Sequence, residues 1–179
     1  MLSLSKIISA CSLLLLMLVS GCASVKYADD FKSGADFSKI KTYSWRAANV
    51  DIAGVDKPYL QQLVNEQLQS QGYQLIDQGA DVWVDLQLFS RVSKGGNTSI
   101  GIGLGLPIGR NGSFGLGTGK TLGQGKQEGV MVVDITEQAS NTLIWRGNAE
   151  GIPLVYFSLK SEPKLRDNIR QLLMQFPPK

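Results

Sequence analysis

Apolar and polar positions change rhythm several times along this 179-residue chain. Between Asp81 and Val92 the period is two. Val82, Val84, Leu86 and Leu88 fall on one side and Asp81, Asp85, Gln87 and Arg91 on the other, with Trp83 and Phe89 interleaved. That alternation predicts a half-buried strand. Lys41-Thr42-Tyr43-Ser44-Trp45 predicts another from its β-favouring residues. Residues 129–137 and 143–152 predict two more, joined by the loop Gln138-Ala139-Ser140-Asn141-Thr142. Elsewhere the period is that of a helix. Leu60, Leu63, Val64 and Leu68 make one face, and Gln61, Gln62, Asn65, Glu66 and Gln69 the other. Asp56 is its candidate cap, Pro58 sits in its first turn and Gly72 stops it. A second helix starts near Ser161 and Pro163, with Leu165, Ile169, Leu172, Leu173 and Phe176 on one face and Pro177-Pro178 ending it. With a short strand near Tyr73, this order predicts an α+β fold. The expected form is a mainly antiparallel sheet, two amphipathic helices on one face, and a Gly-rich β-hairpin extension.

The extension is the insert 95–129, which holds 13 of the 20 glycines. Ile100, Ile102, Leu104, Leu106 and Ile108 alternate with Gly101, Gly103, Gly105, Pro107 and Gly109, and Phe114 and Leu116 alternate with glycine on the way back. A three-residue loop Arg110-Asn111-Gly112 would pair Ile108 with Phe114, Leu106 with Leu116 and Gly105 with Gly117. Directly opposite residues share a face, so this register makes one face apolar and the other bare backbone. Ile102, Leu104, Leu106, Phe114 and Leu116 are therefore a candidate interaction hairpin, against a partner or a membrane surface. The competing reading is an extension whose apolar face covers the domain's own core.

The N-terminus carries a different signal. Lys6 precedes Ile7–Val19, an apolar stretch of 13 residues, shorter than the ~18 needed to span a hydrocarbon core. It ends in Leu18-Val19-Ser20-Gly21-Cys22 and turns polar at once. This run resembles the signal of bacterial lipoproteins, which usually carry leucine where Val19 stands. By that resemblance cleavage falls between Gly21 and Cys22, and Cys22 carries acyl chains, palmitate among them. Residues 1–21 would be the signal peptide and 22–179 one domain. An ordinary secretory signal leaving Cys22 as a thiol is the alternative. Ala23 and Ser24 lack the aspartate that marks inner-membrane retention in enterobacterial lipoproteins. The expected address is thus the periplasmic face of the outer membrane, with membrane contact through the lipid and an envelope protein as possible partner.

Composition narrows the chemistry. There is no histidine, and Cys22 is the one cysteine beyond the signal. A catalytic triad, an imidazole-built zinc site, a Cys–His pair and an internal disulfide are excluded. Seventeen basic and fifteen acidic residues remain after residue 21, too balanced and too scattered to predict nucleic-acid binding. No cofactor or metal site is expected. Gly119-Lys120-Thr121 lacks the earlier glycine and following helix of a phosphate loop. Asp85 and Asp134 could converge as a carboxylate pair for hydrolase or carbohydrate chemistry, but on the less apolar side of their strands solvated or salt-bridged carboxylates are expected, with Arg146 and Arg91 as natural partners. Trp45, Trp83 and Trp145 could form a stacking platform or, more commonly on strands, core. A small apolar-ligand pocket between helices and sheet is a further alternative. No catalytic residue is assigned.

Several segments together resemble a family of bacterial lipoproteins, the domain-of-unknown-function family DUF4136. They are residues 35–45, from Ala35-Asp36-Phe37 to Tyr43-Ser44-Trp45, then Val133-Asp134-Ile135, Leu143-Ile144-Trp145-Arg146-Gly147 and Phe176-Pro177-Pro178. Ile40 stands where members usually carry an aromatic residue. The resemblance implies an α+β lipoprotein domain. It implies no activity, so the expected function is a non-enzymatic binding or interaction domain.

Overall fold

The two periodicities of the sequence become strands and helices at the expected places. The computed structural model describes residues 25–93, 103–108, 112–117 and 126–179. In chain order the elements are β1 (Lys26–Phe31), β2 (Thr42–Asp51), α1 (Lys57–Ser70), β3 (Gln74–Leu75), β4 (Val82–Val92), β5 (Gly103–Ile108), β6 (Gly112–Gly117), β7 (Gln127–Glu137), β8 (Thr142–Pro153) and α2 (Glu162–Leu173). Helix α1 starts as predicted, with the Asp56 carboxylate accepting from the Tyr59 amide at 3.4 Å. Gly72, at φ +94°, ends it in a conformation that L side chains resist. Helix α2 stops at Leu173, ahead of the two prolines.

Six strands form one sheet in the order β1-β8-β7-β4-β2-β3. The pairs β1/β8, β8/β7 and β7/β4 are antiparallel, but β4/β2 and β2/β3 are parallel. The sheet is therefore mixed rather than mainly antiparallel. The reason lies in α1: a chain that leaves β2 and returns through a helix re-enters the sheet in the same direction. After β3 the chain crosses the start of β2 to reach its other side. Asp81 fastens that crossing, accepting from the Lys41 and Thr42 amides and the Thr42 hydroxyl, each at 2.8 Å.

Both helices cover one face. Leu60, Leu63, Val64 and Leu68 of α1 join Leu165, Ile169, Leu172 and Leu173 of α2 in a single cluster with Val82, Val84, Leu86 and Leu88 of β4. At its centre lies Trp145, fully buried, with the Phe176 ring 5.3 Å away between centroids. The indole lies over the Cα of Gly147, so that a Cβ there would collide with the ring and stand 2.9 Å from Leu172 Cδ1. Tyr43 and Trp45, also on this face, both donate to Asn65 Oδ1 at 2.9 Å. Asn65 thus serves the sheet rather than the solvent face where the helical pattern put it.

Strands β5 and β6 pair Leu106 with Phe114, Leu104 with Leu116, Gly105 with Gly115 and Ile108 with Gly112. The expected register is off by two residues, because Gly112, expected in the turn, joins the ladder opposite Ile108. A slip of two keeps every residue on its face, so leucine still opposes leucine or phenylalanine and glycine opposes glycine. The insert leaves and rejoins the sheet at one point, where the Ser93 amide donates to the Lys126 carbonyl at 2.8 Å.

Two predictions follow from this packing. Gly147→Ala overpacks the core and lowers stability by about 1–3 kcal/mol, read as a lower urea midpoint at unchanged slope. Asp81 is held below its ordinary pKa of 3.8, first by the Lys41 amide and then by Thr42. Its stabilising contribution is present above 3.8 and vanishes as pH falls through the lower folded value. Asp81→Asn is therefore destabilised at neutral pH, and its urea midpoint converges with that of the parent in acid.

Candidate functional site

The helix-free face of the sheet gathers the buried charges. Asp85 on β4 stands directly opposite Asp134 on β7, Asp134 opposite Arg146 on β8, and Arg146 opposite Asp30 on β1. Asp85 and Asp134 are 8% and 7% exposed. Like charges directly opposite each other destabilise a sheet, and each carboxylate here is answered by a guanidinium. Arg146 grips Asp134 with two bonds of 2.5 Å. Arg46 grips Asp85 through Nε at 3.1 Å and through its second terminal nitrogen. Hydrogen bonding to these carboxylates, ahead of opposing burial, raises both guanidinium pKa values above their ordinary range.

Arg46 reaches its place through a bulge. The β2/β4 register shifts between Trp45 and Ala47, leaving Arg46 as the extra residue. Its guanidinium lies 5.4 Å from the Trp83 ring centroid and within 3.4 Å of Thr136 Oγ1. Arg91, expected beside the aspartates, instead bridges Glu128 at 2.9 Å and Glu150 at 2.5 Å, one end further along the face. The bulge was visible in the sequence as a slip of apolar phase, from Tyr43 and Trp45 to Ala48 and Val50. Nothing in the pattern singled out Asn65.

This arrangement brings the candidate carboxylates together but engages both oxygens of each. The two described cavities lie elsewhere. One, of about 390 Å³, is lined by residues 51–55 with Ser90, Gln127, Leu154, Phe157 and Ser158; the other, of about 290 Å³, by Asp36, Lys39, Ile40, Ala80, Asp81 and residues 137–139. Neither includes Asp85 or Asp134. The tryptophans do not form a platform: Trp145 is core, Trp45 reaches α1, and Trp83 lies under Arg46 on the other face. Burial pushes the Tyr43 phenol up to about 12; burial, then Asp167 and Tyr156, does the same at Tyr27. Both are neutral donors at physiological pH. Among the described residues no group of three or more Cys, Asp or Glu could hold a metal ion. Gly21, Cys22, Ile102 and Gly119-Lys120-Thr121 lie outside the described residues; Leu104, Leu106, Phe114 and Leu116 are placed by backbone register alone.

Removing one partner of a buried pair strands the other charge. Asp134→Ala should cost on the order of 2–4 kcal/mol, just under the range for fully buried pairs because Asp30 remains near Arg146. Chemical denaturation of the variant measures it.

Comparison with known proteins bears on fold more than on chemistry. The chain resembles a PDZ domain protein from Parabacteroides distasonis ATCC 8503 at 14% identity and a TM-score of 0.51, covering 93% of this chain. It spans only 39% of that protein's length. It also resembles the PelC dodecamer structures from Paraburkholderia phytofirmans, at 9% identity, TM-scores of 0.48 and 0.49, and coverage of 84% of this chain and 95% of that one. No curated protein matches. A model of the domain of unknown function DUF4136 matches residues 27–178. The chain belongs to the DUF4136 family.

Proposed function

We propose that this protein is a lipid-tethered domain of the cell envelope that works by binding rather than by turnover. The carrying observation is Cys22, which ends the apolar N-terminal segment and stands four residues before β1 begins at Lys26. Four residues of extended chain reach at most about 14 Å, so an acylated Cys22 would hold the sheet close to the bilayer. Stable anchoring takes more than one acyl chain, and the lipoprotein class supplies three. By the residues that follow Cys22, the address is the periplasmic face of the outer membrane. No described helix is long and apolar enough to cross a membrane.

Binding is favoured because the most distinctive polar groups, Asp85 and Asp134, are tied into ion pairs, while a sheet edge stays open. Strand β3 covers only Thr42 and Tyr43, so β2 from Ser44 to Asp51 has no second neighbour among the described strands. Such an edge can accept an added strand from an envelope protein.

Fractionation of cells tests the anchor. The parent protein is expected in the outer-membrane fraction and to float with vesicles, and Cys22→Ala is expected in the soluble fraction. Membrane association that survives Cys22→Ala contradicts the proposal.

A further inference from the structure

The sheet has two open edges. Among the described strands β1 has β8 as its one neighbour, and β2 beyond Tyr43 has only β4. Strand β1 runs in the direction of β7, and β2 in the direction of β4, so the two edge strands are antiparallel to each other. Laying the β1 edge of one copy along the β2 edge of another therefore forms an antiparallel pair. The registers, carried across the four strand pairings, give each residue of β1 a level on β2. On the helix-free face Lys26 is level with Asp51, Ala28 with Asn49, and Asp30 with Ala47 beside the bulged Arg46. On the helix face Tyr27 is level with Val50 and Phe31 with Trp45.

The two ends of each level complement each other. Lys26 and Asp51 are exposed, and neither has an ion pair among the described residues. The charged row ends in Asp30 at one edge and in Arg46 at the other, where the arginine side chain is 43% exposed. Phe31 is 42% exposed and Trp45 half-buried. Continuing the sheet at the same level from copy to copy brings Lys26 to Asp51, Asp30 to Arg46 and Phe31 to Trp45, all favourable cross-strand pairs. A slip of one residue would reverse the faces, and a slip of two would separate both charge pairs. Length fits as well. From Asp51 the six residues of β1 reach Trp45, short of Thr42 and Tyr43, where β3 covers the edge.

We propose that copies of this chain assemble edge to edge, β1 of one against β2 of the next, so that the charged row runs on through the assembly. Such assembly rests on the binding role proposed for the open edge, and the occupant it names is a second copy. The contact uses different surfaces on the two copies, so it extends past a dimer to a ring or a filament. It also leaves every Lys26, and the tether before it, at the same end of the sheet, as a shared bilayer requires. A two-fold antiparallel β2–β2 pair would set the tethers at opposite ends.

Disulfide trapping in the full-length, membrane-tethered protein tests this. Ala28→Cys and Asn49→Cys place thiols at opposed positions of the proposed pair, within the Cα separation that a disulfide needs. Within one copy the same positions lie about 19 Å apart, across four strand spacings. The double variant, oxidised in intact cells, is expected to give a ladder of covalent dimers, trimers and larger species that neither single variant gives. Adding Asp51→Lys is expected to abolish the ladder, and adding Lys26→Asp as well to bring it back. No ladder, a ladder indifferent to these charges, or dimers from either single variant overturns the assembly. A cross-link from the Asn49→Cys variant to a protein of another mass also overturns it, while leaving β2 as an edge that accepts a strand.

Discussion

Asp85 and Asp134 face each other across neighbouring central strands, and much of the helix-free face is arranged around that opposition. Two carboxylates at cross-strand distance, roughly 4.5–5.5 Å between Cβ atoms, cannot both stay buried unless each is neutralised locally. Arg146 is opposite Asp134 by simple register. Asp85 has Ala47 opposite it on β2, and the bulge there swings Arg46 into reach. The result is a row across five strands, Asp30-Arg146-Asp134-Asp85-Arg46, in which removing one charge disturbs its neighbours. Buried ion pairs of this kind need not add net stability over an apolar replacement, but once present they demand every partner.

The same logic explains the residues on which the family resemblance was read. Trp145-Arg146-Gly147 alternates across the sheet. The indole enters the core beneath α2, the guanidinium turns to the charged face, and the glycine leaves the space that the indole fills. Val133-Asp134-Ile135 has the complementary form, two core residues flanking the carboxylate that Arg146 holds. Phe176 closes the core against Trp145, Phe37 and Tyr73. In this chain all three motifs serve the architecture of the sheet and its core.

Most of the elements were legible in the sequence, because a strong period of two or 3.6 coincided with full burial. The helix faces, the Asp56 cap, the Gly72 stop and the β7/β8 hairpin all had local signals. Strand β1 did not: Lys-Tyr-Ala-Asp-Asp-Phe is an edge segment with four of its six residues exposed, so burial imposed no alternation on it. The parallel pairing of β2 was a tertiary fact, decided by where the chain crosses beneath Thr42, and the Asp81 staple that holds the crossing reads locally as just another loop aspartate. Arg46 was missed for the opposite reason. Its bulge left a phase slip in the sequence, but which carboxylate it would meet depended on strand order.

If the charged row is structural, function must be sought at the edges and ends of the sheet, where β1 begins, the insert departs and β2 lacks a second neighbour among the described strands. The row itself can be tested without knowing any partner, by measuring the unfolding free energies of Asp85→Asn, Asp134→Asn and the double variant. Each single change also relieves the repulsion between the two carboxylates, and the remaining aspartate can still attract both arginines. The double variant should therefore be destabilised by more than the sum of the singles, by about 0.5–3 kcal/mol. Effects that add to within about 0.3–0.5 kcal/mol would mean that the two ion pairs are independent, and that the row does not act as one unit.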